Sequence, residues 1–353
     1  MKQVIPLIII TFLVIHSCVP QSSNYNGLPL PDNKYDTHFP VRDATPVLND
    51  LVRSVKKLHS SVFYRSFTLR RDNMITAQNL NRDQIEKIAI GDTIFNQSVI
   101  GSATIFLSEP NQVAMLTCAH VVDFPDTIVH FFPETEDTPA DSLVRVIAYK
   151  IRQDNYLTGF PKDANLDILA IDSKLDIAIV GASFPNLPDE SYTPFPFPAG
   201  NTKELNWGHV VYLAGYPLGH QMLTGGIVSR LTYTTRRSFL IDASFNQGMS
   251  GAPVVAIRDG TPNFEIVGLA NAVAAESRYV LAPEQNGTDS EFDYIKNVPY
   301  EGKIFTRRTE QIRYGVTFVI AIEDIIQFVN AHRESLAAKG YDFSGIFPQN
   351  REH

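Results

Sequence analysis

The sequence predicts an all-β domain, a barrel or a sandwich, preceded by a short helix and closed by a longer one. About eleven short runs rich in Val, Ile, Tyr and Phe succeed one another, among them "GSATIFL", "QVAMLTCA", "LDIAIVGA", "HVVYLAGY", "APVVAI" and "FEIVGLA", each bounded by Pro, Gly, Asn or Asp. No helical periods alternate with them, which argues against a parallel α/β sheet. Of the 353 residues, 44% are hydrophobic, enough for a sizeable core and unlike a disordered chain.

The first residues stand apart from that fold. Lys2 precedes an apolar run of 12 residues, "VIPLIIITFLVI", which is too short for the roughly 20 residues a spanning helix needs and reads as the core of a signal peptide over 1–17. "IHSC" follows and looks like a lipobox, so Cys18 is the expected lipidation site, although His16 is unusual there. With Cys18 consumed, Cys118 has no partner for a disulfide. Residues 18–45, rich in Pro, Asn, Asp and Ser, read as a flexible lipid-anchored tether; an arm packed on the domain is the alternative for its aromatic residues. The expected location is a bacterial cell envelope, on the periplasmic face of a membrane.

From Thr45-Pro46 the pattern becomes helical, with Leu48, Leu51, Val52, Val55 and Leu58 at helical spacing. Strands then dominate, interrupted by three long loops at 70–98, 185–207 and 274–313. Ile325, Ile326, Val329 and Leu336 share one face of a final helix, with Glu323 and Asp324 in its first turn and Gly340 placed to end it. The main domain is expected over 46–338, followed by a tail, 339–353. Thirty Lys and Arg against 38 Asp and Glu give a net charge of −8, which argues against nucleic acid as a partner. The chain has no glycine-rich phosphate loop, and no cofactor or metal is expected.

"NQGMSGAPVV" sets Ser250 between Gly248 and Gly251 ahead of a β-branched strand. A serine hydroxyl becomes a nucleophile when a base takes its proton, and that base has to be oriented by a third group. Among nine histidines, His120 in "AMLTCAHVV" is placed at the end of a buried-looking strand. For the acid, Asp176 in "LDIAIV" lies among apolar residues, where a carboxylate implies a partner; Asp167 and Asp172 compete. The glycines permit a tight turn that aims the N–H groups of Gly248 and Ser250 at one point, as an oxyanion hole requires.

These blocks resemble those of the chymotrypsin-fold (trypsin-like, S1) serine peptidases, and most closely the HtrA/Deg branch. "WGHVVYLAGYPLG", "GGIVSRL", "FEIVGLANA" and "YGVTFVIAIEDIIQFV" extend the resemblance across roughly residues 47–335. It implies two six-stranded antiparallel β-barrels with the active site between them. His120 is then the general base, Asp176 its orienting acid and Ser250 the nucleophile. Asp176 is preferred to Asp167 because the family has "D-[IL]-A" at this step. Ser244 would lie at the base of the specificity pocket, with Leu269, Ala270 and Asn271 as a wall; none of these is charged, so a small or medium apolar residue is expected before the scissile bond.

Two features depart from that family. Met249 precedes the nucleophile where the branch usually has Asn and the animal enzymes Asp, so no activation by a new N-terminus is expected. No PDZ module is expected after Leu336. The implied activity is endopeptidase action on envelope or misfolded polypeptides, and a homo-oligomer is compatible with it. A trypsin-fold binding or chaperone-like module with a vestigial triad is the alternative reading.

Overall fold

The computed structural model describes residues 31–133, 139, 142–159, 165–184, 192–231, 238–283 and 304–346. The signal segment and Cys18 lie outside the described residues. Two β modules follow one another along the chain. The first comprises α1 (Thr45–Ser54), β1 (Val55–Thr68), α2 (Arg82–Ile88), β2 (Gly91–Glu109), β3 (Gln112–Thr117), α3 (Ala119–Val122), β4 (Thr127–Phe131), β5 (Val144–Leu157), β6 (Asp167–Asp172) and β7 (Ile177–Ser183). The second comprises β8 (Val210–Gly215), β9 (Met222–Leu231), β10 (Ser238–Ile241), β11 (Ala252–Ile257), β12 (Phe264–Pro283) and β13 (Ile304–Ala321), and α4 (Ile322–Ala338) closes it.

The second module is a closed six-stranded barrel in the order β10-β13-β12-β11-β8-β9. The first is a seven-stranded sheet in the order β4-β5-β1-β2-β3-β7-β6. Its seventh strand belongs to an outward extension, because β4 pairs only with the Val144–Tyr149 half of β5. That half of β5 in turn meets the Arg65–Thr68 end of β1. The extension has a small core of its own in Phe67, Leu69, Ile75, Ile85, Val144 and Ile147. Apolar burial of this kind holds most of the stretch 70–98, read as loop, in ordered structure: α2 covers the cluster, and β2 begins at Gly91.

The structure shifts other boundaries as well. α1 ends at Ser54, and Val55 and Leu58, at helical spacing in the sequence, are buried strand residues of β1. A run of alternating burial beginning at Val55 pairs with β2, and sheet pairing overrides the helical period there. The stretch 274–313, also read as loop, is strand at both ends: Ala274–Pro283 of β12 pairs with Ile304–Arg313 of β13. Polar residues conceal such a ribbon from a search for apolar runs. In 192–207, the described part of the third long loop, Phe195 stacks on Phe106 and meets Phe197 edge-on.

Residues 31–44 lie along the second barrel. Tyr35 is buried, its hydroxyl donates to Glu265 Oε2 (2.7 Å) and accepts from the Asn201 N–H (2.9 Å), and the Arg258 guanidinium sits 4.1 Å from its ring centroid. Asp36 adds backbone bonds to Ile257 O and from Val210 N–H. In this part of the segment the packed arm, not the free tether, is the conformation found. At the other end, Gly340 takes φ 92° as α4 stops, with Gly340 N–H on Ala337 O and Tyr341 N–H on Leu336 O. Tyr341 and Phe343, within the segment read as a tail, are buried in the main core cluster beside Ile325, Phe328 and Val329 of α4.

Candidate active site

Three different local structures carry the three candidate residues. β3 leads through buried Cys118 into α3, a single helical turn in which Ala119, Val121 and Val122 are buried. That anchoring leaves His120 as the outward member of the turn, its side chain 46% exposed. β7 runs antiparallel to β3, with Ala178 opposite Thr117, so the start of one strand adjoins the end of the other. Asp176 therefore arrives beside His120. It stands in the turn just ahead of β7, with φ 62°, and not inside the apolar strand as the sequence suggested. Asp tolerates that region better than most residues. Its carboxylate, only 21% exposed, is held by a partner.

Asp176 Oδ1 accepts from the His120 backbone N–H at 2.9 Å, and Oδ2 lies 2.8 Å from His120 Nδ1. His120 Nε2 lies 2.8 Å from Ser250 Oγ. With Nδ1 donating to the carboxylate, the Nε2 lone pair faces the hydroxyl, so this arrangement can receive the serine proton and return it to a leaving group. The competing acids are turned elsewhere. Asp172 Oδ1 accepts from the N–H groups of Lys174 and Leu175, and Asp167 is exposed.

The Ser250 loop, between β10 and β11, is set by its carbonyls. Gln247 O accepts from Leu218 N–H (2.7 Å), Asn246 O from Met249 N–H (3.0 Å), and Ser250 O from Ser102 N–H (2.8 Å). Ser102 Oγ, fully buried, donates to Gly248 O (2.8 Å) and accepts from Tyr216 N–H (3.0 Å). Gly248 has φ 102°, and a Cβ there would collide with the Tyr216 carbonyl. Because a trans peptide points its C=O and N–H to opposite sides, holding Gln247 O on Leu218 turns the Gly248 N–H away from it. Among the described residues neither the Gly248 nor the Ser250 N–H has a protein acceptor. Two unspent donors thus flank the hydroxyl, as stabilisation of an oxyanion requires.

The pocket residues named from the sequence separate. Ser244 is exposed, and the Asn271 carbonyl lies 3.5 Å from Ser250 Oγ. Leu269 and Ala270 are not part of an open wall: both have no exposed surface, and they belong to two different core clusters. β12 is covered on both faces here, so alternate residues enter opposite cores. Met249 is an apolar anchor buried in the second barrel's cluster. The Cys118 thiol, 3.5 Å from Ala270 O, lies within 4.8 Å of donor atoms of His120 and Asp176. Complete burial pushes its pKa well up, which keeps it a thiol and a core residue.

Sequence reasoning missed Ser102, Thr117 and Leu218. Ser102 and Thr117 are small polar residues inside apolar strands, the same signal that drew attention to Asp176; Thr117 Oγ1 donates to Ser102 O at 2.8 Å. Leu218 offered no signal, because its part is played by a backbone N–H.

Residues 101–269, a stretch that contains all three candidate residues, match the family model of the trypsin-like peptidase domain. No curated protein matches the chain. Among solved structures, that of Deg5 superposes with a TM-score of 0.38 at 14% identity, over 82% of this chain and 92% of that one.

Proposed function

We infer that the protein is a serine endopeptidase of the trypsin-like, HtrA-like kind, with Ser250 as nucleophile, His120 as general base and Asp176 as the group that orients it. The reading rests above all on the unbroken chain Asp176 Oδ2–His120 Nδ1 and His120 Nε2–Ser250 Oγ, with both contacts at 2.8 Å. In this mechanism His120 takes the proton as Ser250 Oγ attacks the carbonyl carbon of the scissile peptide. The N–H groups of Gly248 and Ser250 receive the negative oxygen of the tetrahedral intermediate, where one such donor is typically worth about 10²–10³ in rate. His120 then protonates the departing amine, and water repeats the sequence on the acyl-enzyme. Polypeptides of the cell envelope, misfolded ones included, are the proposed substrates. The lipobox-like segment ending at Cys18 supports a lipid-anchored enzyme at the periplasmic face.

The test is labelling by a fluorophosphonate together with casein cleavage. The wild-type protein should label and cleave. Ser250→Ala should do neither, with a loss on the order of 10⁶ in kcat as in comparable triads. Cleavage retained by Ser250→Ala would refute the assignment.

A further inference from the structure

Leu218 is a non-glycine residue in the left-handed region (φ 51°, ψ 26°) and is 71% exposed, so its side chain adds little to the core. The conformation is costly for leucine, and strain of this kind concentrates at working sites. The turn carrying it is fixed without help from that side chain. Lys57 Nζ donates to Gly219 O (3.3 Å), Gln221 Nε2 to Val52 O (3.2 Å) and to the Tyr216 hydroxyl (3.0 Å), and Tyr216 Oη to Val55 O (3.4 Å). A glycine or asparagine would accept the same backbone at lower cost. What leucine adds is an apolar surface beside the oxyanion loop, since its N–H is bonded to the carbonyl of the peptide that bears the Gly248 N–H.

A polypeptide crossing Ser250 must leave it in two directions. β12 offers its Asn271 carbonyl 3.5 Å from Ser250 Oγ as a track for one segment, and the Gln247–Leu218 contact, which holds the peptide of the Gly248 N–H, is then left to the other. Building on the peptidase reading above, we propose that Leu218 is a specificity-determining residue for the leaving segment, which contacts an apolar side chain at the first or second position after the scissile bond. Met222, 49% exposed and paired across the hairpin with Gly215, adjoins the same turn and extends its apolar character. Burying apolar surface of this extent supports a preference of about tenfold.

The experiment uses the full-length protein and matched internally quenched peptides that differ only after the scissile bond, carrying Leu or Phe in one set and Ser or Asp in the other. Cleavage positions are read by mass spectrometry. The ratio of kcat/KM between the sets should be about tenfold in the wild type, close to one in Leu218→Ser, and retained in Leu218→Met, with melting temperatures recorded for each. Leu218→Ser keeps the backbone N–H, so the ratio isolates the side chain. A ratio near one in the wild type, or one preserved in Leu218→Ser, would overturn the inference while Ser250-dependent cleavage stood. Absence of any Ser250-dependent cleavage would overturn it together with the peptidase reading.

Discussion

Ser102 belongs to the first module, yet it makes two bonds to the Ser250 loop of the second, both at 2.8 Å, and a third, at 3.0 Å, to the neighbouring Tyr216 turn. A buried hydroxyl that both donates and accepts leaves two orphaned groups when it is removed. Ser102→Ala strands the Gly248 carbonyl and the Tyr216 N–H, and each unsatisfied buried group costs about 1–3 kcal/mol. Calorimetry should therefore show a lower melting temperature, and kinetics on any cleaved peptide should show kcat falling more than KM changes. A variant with wild-type melting and turnover would sink this account. At this scale residue type singled out His120, Asp176 and Ser250, and the structure places their side chains in hydrogen-bonding series. Leu269 and Ala270 were misread as pocket wall because nothing in their own sequence says that both faces of β12 are covered.

At the level of elements, periodicity identified what is amphipathic and missed what is held by distant partners. α4 was readable to its last turn because its stripe and its terminating Gly340 are local features. α1 was read one turn too long because Val55 and Leu58 fit the helical period as well as the strand they enter. The arm at residues 31–44 is fixed by Tyr35, whose partners Asn201, Arg258 and Glu265 lie more than 160 residues away. Truncating a large buried aromatic side chain typically costs about 3–5 kcal/mol. Tyr35→Ala is expected to lower the midpoint of chemical denaturation accordingly and to expose the arm to limited proteolysis. An unchanged midpoint and an uncut arm would show that the second barrel does not depend on this anchor.

On the scale of the molecule, stability should depend on pH through groups the two modules bury. His209, at 8% exposure, accepts the Asn206 N–H on Nδ1 at 2.8 Å, a bond only the neutral ring can accept in that way. Burial lowers its pKa, Asp36 pulls it up and Arg258 pushes it down, with a net result below the usual histidine value. A depressed folded-state pKa means that the unfolded chain takes up a proton the folded protein refuses. The contribution is therefore complete above about pH 6.5 and is lost as pH falls below it. Denaturant unfolding compared at pH 7.5 and pH 5 should show a loss at the lower pH, smaller in His209→Gln. An equal loss in both proteins would exclude His209 as the source.

The sequence by itself determined the strand-rich architecture, the closing helix and the residue types that the proposed acyl transfer calls for, because each of these is written in local pattern or in the intrinsic chemistry of a side chain. Tertiary structure alone decided that β3 and β7 bring His120 to Asp176, that Ser102 ties one module to the Ser250 loop of the other, and that Leu218 stands at the edge of the site. Those relations arise from pairing and burial between residues far apart in the chain, and no neighbouring residue records them.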